Sequence, residues 1–286
     1  MGGNDEQMGM NKPQKYRLVA LDLDETLLNP ESELSEYAIG VLRAVAEKGV
    51  KVVICTGRAY AGAASCLKQI GLNNPGVFCN GAQIRVALDG NILHEIPLPV
   101  EEARQAIRLG EDMGGHPRVY MDDRIYVSHM VEEDKIFAAR TGIQFEVVGD
   151  LCAFLDISGK PPLKFIHYVS DPGLVSALVE KSKSVFQDRL YVTQSVSVNR
   201  TVFVEYMNIS ASKGNGIKRL ASMWGISKDE ILVAGDNLND LTMFEEAGFS
   251  IAPQNAHPLI LKAASTVCQS NAEDGVAKKL AEVFGV

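Results

Sequence analysis

The run Arg17-Leu-Val-Ala-Leu-Asp-Leu-Asp24 constrains the fold of this chain more than any other stretch. Leu18 to Leu21 are apolar at every position, so both faces of the strand they favour must be buried, as happens when a sheet lies between two layers of helices. The run then ends in carboxylates, which places two acids at one strand terminus. A similar rhythm follows. Residues 35–48 carry Tyr37, Ala38, Val41, Leu42, Val45 and Ala46 on one helical face, with Gly49 as a stop. Val50–Cys55 is the next buried strand, Ala59–Ile70 the next helix and Gly76–Cys79 a third strand. Strand–helix alternation of this kind predicts a doubly wound parallel α/β sheet.

The rhythm changes after Asn80-Gly81-Ala82. Gln83–Leu88 and Asn91–Ile96 flank Asp89-Gly90, a tight-hairpin signature that does not continue a parallel series. Helical patterns near 100–112, 131–140 and 172–187 alternate with strand-like Arg124–Val127, Leu163–Val169 and Leu190–Thr193, which predicts an inserted α+β module of about 110 residues. The alternating pattern resumes with Thr201–Tyr206, a helix over 214–224, Ile231–Ala234, a helix over 241–247 and Phe249–Ala252. The expected division is an arm over 1–15, a discontinuous core over 16–83 and 199–286, and an inserted domain over 84–198.

Charge narrows the function. With 28 Lys plus Arg against 36 Asp plus Glu the net charge is −8, and no basic run exists to neutralise a nucleic-acid backbone. No apolar run is long enough to span a membrane, and the first residues lack the apolar stretch of a signal peptide. Nucleic acid and membrane are therefore not expected as partners, and the expected compartment is the cytoplasm. The five cysteines form no Cys-x-x-Cys pair and read as reduced, mostly core residues.

Four clusters fall at strand ends of the core: Asp22 with Asp24, Thr56-Gly57-Arg58, Lys213-Gly214, and Gly235-Asp236 with Asn239-Asp240. Ligands of open α/β sheets bind outside the carboxyl ends of the strands, so these distant clusters are expected to converge. Crowded carboxylates repel unless a hard cation lies among them, and Mg²⁺ suits a few carboxylates, waters and a substrate phosphate. With a lysine and a threonine hydroxyl nearby, the simplest chemistry is phosphoryl transfer, an Asp attacking phosphorus and a second Asp moving protons. Blander readings exist for each cluster alone: a solvated strand-end turn for the acids, a helix start for Thr56-Gly57, a first-turn surface lysine for Lys213.

In order and spacing, Asp22-Leu-Asp24-x-Thr26, Thr56-Gly-Arg58, Lys213-Gly214 and Gly235-Asp236-x-x-Asn239-Asp240 resemble the haloacid dehalogenase superfamily, in its Cof-type, class IIB branch. Asn80-Gly81-Ala82 and Ser270-Asn-Ala-Glu-Asp-Gly-Val-Ala277 extend the likeness. The resemblance implies a Rossmann-like core with a cap domain, and a Mg²⁺-dependent phosphatase working through an aspartyl-phosphate. It implies Asp22 as nucleophile and metal ligand, and Asp24 as acid/base that reaches the metal through its main-chain carbonyl. Asp236 becomes the second metal carboxylate; Thr56, Gly57, Lys213 and Asn239 hold the phosphate; Asp240 and Arg58 support them from behind. The alternatives within this resemblance are a phosphotransferase or mutase and a catalytically silent ligand binder. Two departures stand out: Glu25 where glycine is usual, expected to point outward, and Ala252-Pro253-Gln254-Asn255-Ala256 in place of a Met-Gly-Asn-Ala pattern. The expected partner is a small phosphorylated metabolite, and the expected state a monomer or weak homodimer. In the inserted module, Asp122-Asp123-Arg124 reads as a hairpin turn, Lys164 as a strand residue and Ser195–Arg200 as the return linker.

Overall fold

A computed structural model of the chain describes residues 15–196 and 202–286; residues 1–14 of the expected arm and 197–200 of the expected return linker lie outside these. Among the described residues the strands form three sheets. The first is parallel throughout and joins β1 (Leu18–Leu21) and β2 (Lys51–Ile54) to three strands late in the chain, Ile231–Ala234, Phe249–Pro253 and Thr266–Cys268. β1 is central: Leu18 pairs with Lys51 on one side and with Ile231 on the other. Its alternating side chains explain the all-apolar sequence. Val19 and Leu21 pack under helices Glu36–Glu47 and Gly275–Phe284, while Leu18 and Ala20 pack under helices Lys213–Trp224 and Leu241–Glu245. The chain leaves β1 in one direction toward β2 and completes the sheet in the other. Asp22, just past β1, therefore sits at the topological switch point.

The hairpin expected in the inserted module belongs elsewhere. β3 (Pro75–Phe78), β4 (Gln83–Val86) and β5 (Ile92–Glu95) form an antiparallel three-stranded sheet, attached to the parallel sheet through a bridge between Cys55 and Val77. The hairpin is where the sequence places it, but its turn is longer than the two residues Asp89-Gly90, since the strands end at Val86 and resume at Ile92, and a hairpin carries no information about which sheet its strands join.

The third sheet has six strands: β6 (His116–Met121), β7 (Arg124–Val127), β8 (Gln144–Val147), β9 (Lys164–Val169), β10 (Leu190–Val196) and β11 (Val202–Asn208), in the order β10-β11-β9-β6-β7-β8. This corrects the expectation that Thr201–Tyr206 restarts the parallel core. β11 runs antiparallel to both β9 and β10, so the core resumes only after Asn208. The strand's period-two pattern shows why. Val204 and Tyr206 join the cluster beneath helices Val100–Asp112, Leu151–Ser158 and Pro172–Phe186, and Phe203 and Met207 face the other way. Asp122 and Asp123 form the β6–β7 turn with φ of +51° and +59°, as their sequence predicts. The opposite face of this sheet, with Tyr120, Ile166, Phe203 and Met207, packs against Ala59, Cys79, Ala82 and Ala211. The insertion thus roofs the switch point.

No helix among the described residues is long and apolar enough to cross a membrane. All five cysteines are free, four of them buried.

Candidate active site

The parallel sheet delivers the four sequence clusters to one place. Asp22 follows β1 directly, its N–H donating 3.0 Å to the Ala234 carbonyl, which keeps it in strand register with the neighbouring strand end. Lys213 opens helix Lys213–Trp224, whose N-cap is Ser212, and is 1% exposed. Its Nζ lies 2.9 Å from Asp22 Oδ1 and 2.6 Å from Asp240 Oδ1. Asp240 is held on its other oxygen by the N–H groups of Asp236 and Asn237, at 2.9 and 3.0 Å. Two glycines permit this closeness. A Cβ on Gly235 would meet the Asp240 side chain at 2.6 Å, and one on Gly214 would meet the Thr242 carbonyl oxygen at 2.1 Å.

Asp236 receives a 2.6 Å hydrogen bond from Thr26 Oγ1 to its Oδ1. Oxygens of Asp22, Asp236 and Asp240 lie within 4.8 Å of one another, all three residues buried. Three carboxylates against one lysine leave two negative charges uncompensated in a region shielded from water. The electrostatics follow. Burial pushes the Asp22 carboxyl up to about 7, with Lys213 pulling it down and Asp240 and Asp24 adding to the rise. Burial, then Asp240 and Asp22, raise Asp236 well above the usual carboxylate range. Lys213 stays protonated because Asp22 and Asp240 outweigh the burial that would lower it.

The chemistry of this donor set fits a hard divalent cation. Asp22 Oδ2 and Asp236 Oδ2 receive no hydrogen bond among the described residues, and both residues line the cavity. The excess charge of −2 is what one divalent cation would balance. Asp240, with both oxygens engaged, is a holder of Lys213 and of the Asp236 loop. The Asp24 side chain lies apart from this cluster: Arg58 grips it through Nε at 2.8 Å and Nη2 at 2.6 Å. Burial would raise its pKa, but the Arg58 hydrogen bonds and charge hold it below the ordinary value. Its expected place among the metal ligands therefore rests on its main-chain carbonyl alone.

A cavity of about 110 Å³ opens above Asp22, lined on the core side by Asp22, Asp24, Glu25, Gly57, Arg58, Asp236 and Asn239. Tyr120, Ile166, Phe203, Lys164 and Glu205 from the six-stranded sheet, with Phe137 and Arg140 from helix Glu132–Thr141, close it from above. Thr56 and Lys213 are buried behind this wall, and the Thr56 hydroxyl accepts a hydrogen bond from the Arg58 N–H at 3.1 Å. Asn239 donates to Asn80 at 2.9 Å and Asn80 to Glu205 at 2.6 Å; Lys164 donates 2.8 Å to Glu205 and 2.8 Å to the Gly57 carbonyl. This chain of polar contacts ties the roof to the core loops. Lys164 was singled out in sequence, whereas Asn80's bonding and the part played by Glu205, Phe137, Arg140 and Phe203 were not. Only the sheet register reveals that odd-numbered residues of β11 face the cavity.

Glu25 departs from the expectation that it points outward: the residue is half-buried and borders the cavity. Its backbone has φ +58°, the left-handed region that favours glycine. The loop is held there from outside. Asn255 donates 2.8 Å to the Glu25 carbonyl and accepts 3.0 Å from the Asn271 N–H, while Asn271 Nδ2 donates 2.8 Å to the Leu28 carbonyl. The unusual 252–256 segment thus still has a structural part in the site.

A doubly wound sheet with a roofed acidic centre at its switch point defines an α/β protein whose ligand site lies at the strand ends. Comparison specifies the kind: a family model of haloacid dehalogenase-like hydrolases matches residues 19–280, and the chain belongs to that family. The Bacillus subtilis protein YxeH is 28% identical over 275 residues, covering 94% of this chain and 98% of that protein. A second B. subtilis relative, 5-amino-6-(5-phospho-D-ribitylamino)uracil phosphatase YitU, is 27% identical over 274 residues, covering 95% and 99%. A crystal structure of a Thermotoga maritima protein superimposes with a TM-score of 0.77 at 28% identity, covering 93% of this chain and 97% of that one.

Proposed function

We propose that this hydrolase is a Mg²⁺-dependent phosphatase of small phosphorylated metabolites, acting through an aspartyl-phosphate on Asp22. The observation that carries the proposal is the buried Asp22–Lys213–Asp240–Asp236 cluster, whose excess negative charge faces a small cavity at the switch point. Asp22, Asp236 and the Asp24 carbonyl would hold Mg²⁺, which supplies charge neutralisation to the phosphoryl oxygens. Lys213 orients Asp22 by fixing Oδ1, and Oδ2 is the oxygen left to attack. That oxygen attacks phosphorus while the bond to the leaving oxygen breaks, and Asp24 gives that oxygen its proton. In the second half Asp24 takes a proton from the attacking water, inorganic phosphate departs and Asp22 is restored. Because Arg58 holds Asp24 ionised, its action as an acid requires release from that fork. The roof, taken as residues from about 97 to 208, shields these steps from bulk solvent while leaving room for the one attacking water. The named phosphatase relatives support the reading, as does the cavity, which is far smaller than the ~300–1,000 Å³ of pockets for drug-sized ligands. A cytoplasmic location and a monomer or weak homodimer belong to the same proposal.

The test is hydrolysis of p-nitrophenyl phosphate with Mg²⁺ and with EDTA. Wild type is expected to turn over only with metal, Asp22→Asn to lose more than about a thousandfold and Asp24→Asn more than about a hundredfold. Full activity in EDTA, or an active Asp22→Asn, rules the mechanism out.

A further inference from the structure

The charged groups lining the cavity pair off, with two exceptions. Arg58 is spent on Asp24 and Lys164 on Glu205. Asp22 and Asp236 belong to the acidic centre. That leaves Glu25 on the core loop and Arg140 on the roof helix, and neither carboxylate nor guanidinium makes a hydrogen bond or ion pair among the described residues. The two form no direct ion pair with each other, and both border the same cavity. Arg140 follows Phe137 by three residues, and its guanidinium lies 5.7 Å from that ring. Glu25 occupies this place although its left-handed backbone is unfavourable for a residue with a side chain.

An unmatched acid and an unmatched base in one small cavity call for a ligand that carries the opposite charges. Resting on the phosphatase reading above, we propose that Glu25 and Arg140 determine specificity for the leaving group. The substrate is then a phosphomonoester with a compact zwitterionic leaving group. Its protonated amine faces Glu25, its carboxylate faces the Arg140 fork, and its carbon skeleton lies against Phe137 and Phe203. A leaving group lacking either charge forgoes one of these contacts; the loss weighs more at half-buried Glu25 than at Arg140, which is exposed to water.

Three matched probes test this. Phosphoserine carries both charges, 3-phosphoglycerate replaces the amine by a hydroxyl, and phosphoethanolamine lacks the carboxylate. Wild type is expected to favour phosphoserine over each by about tenfold or more in kcat/KM. Glu25→Gln collapses the phosphoserine to 3-phosphoglycerate ratio toward one and keeps the other ratio. Arg140→Gln does the reverse, with Arg140→Lys intermediate because a single ammonium replaces the bidentate fork. Using ratios within one variant cancels any general loss of folding or phosphate affinity. Wild type that prefers either singly charged probe, or variants that leave both ratios unmoved or shift them equally, overturns the proposal. If p-nitrophenyl phosphate is turned over while the ratios are wrong, the specificity assignment alone falls. If no probe is turned over, the phosphatase reading falls with it.

Discussion

Among the described residues two cationic side chains have no solvent contact, and their surroundings differ in kind. Lys213, at the strand ends of the parallel sheet, faces Asp22 and Asp240 with Asp236 alongside. Arg118, inside the six-stranded module, meets one carboxylate, Asp134, through Nε at 2.6 Å. His116 lies 3.0 Å from the other oxygen of that Asp, and the Val131 N–H donates to it at 2.9 Å. The rest of the Arg118 guanidinium is enclosed by Phe203, Phe137, Phe145 and Tyr168, with ring centroids 5.3 to 6.0 Å away. One pair is electrically closed and sealed. The other is left two charges short and opens on a cavity. Burial of a charge is thus shared by a packing device and the acidic centre at the cavity; the unbalanced remainder separates them.

The largest effect that would break this contrast is on the sealed pair. Arg118→Met should cost about 3–5 kcal/mol in urea denaturation because it strands a buried carboxylate. A loss below about 1 kcal/mol would mean that the aromatic enclosure, and not the ion pair, carries the stability. Asp236→Asn should behave oppositely. In EDTA it should raise the melting temperature, by the equivalent of about 1–2 kcal/mol, since it removes surplus negative charge while an amide oxygen can keep the Thr26 bond. Mg²⁺ at a hundredfold over its dissociation constant should add about 2.7 kcal/mol to wild type and far less to this variant. Calorimetry with and without metal decides both points.

An effect comparable in size to metal binding concerns pH. Burial pushes the His167 imidazole down to about 4, partly offset by its hydrogen bond with the Ala106 carbonyl. The unfolded chain therefore binds this proton first. The stability tied to neutral His167 is complete above its ordinary value of 6.5 and drains away as pH falls toward 4, an effect of roughly 3 kcal/mol. Denaturation midpoints measured across that window should flatten in His167→Gln relative to wild type; an unchanged slope would assign the acid sensitivity to the carboxylates. The smallest effect sits at the loop. Glu25→Gly should stabilise by about 1 kcal/mol through relief of its left-handed backbone, and a lower melting temperature would show that the side chain is held by more than strain.

Within the parallel core, local pattern sufficed because each element is specified by its own period. An all-apolar β1 has to lie between two layers, and helices between the strands dictate parallel pairing. The acids at 22, 24, 236 and 240 and the lysine at 213 stand at strand and helix ends, where that topology alone brings them together. What pattern could not decide was partner choice. The strand at Val202–Asn208 has the alternation of any half-buried strand, and only hydrogen bonding to β9 and β10 assigns it to the roof. The hairpin at Gln83–Glu95 likewise reads the same whichever sheet it joins. The place of Glu25 at the cavity depended on Asn255 and Asn271, more than two hundred residues away in sequence, fixing the loop carbonyls. The neutralisation of Lys164 by Glu205 and of Asp24 by Arg58, and with it the identity of the charges left over, arises from distances between elements that no local period encodes. Residue order determined which chemical groups this protein owns and the sheet that carries them; tertiary packing decided which of those groups are already matched and which remain open to a ligand.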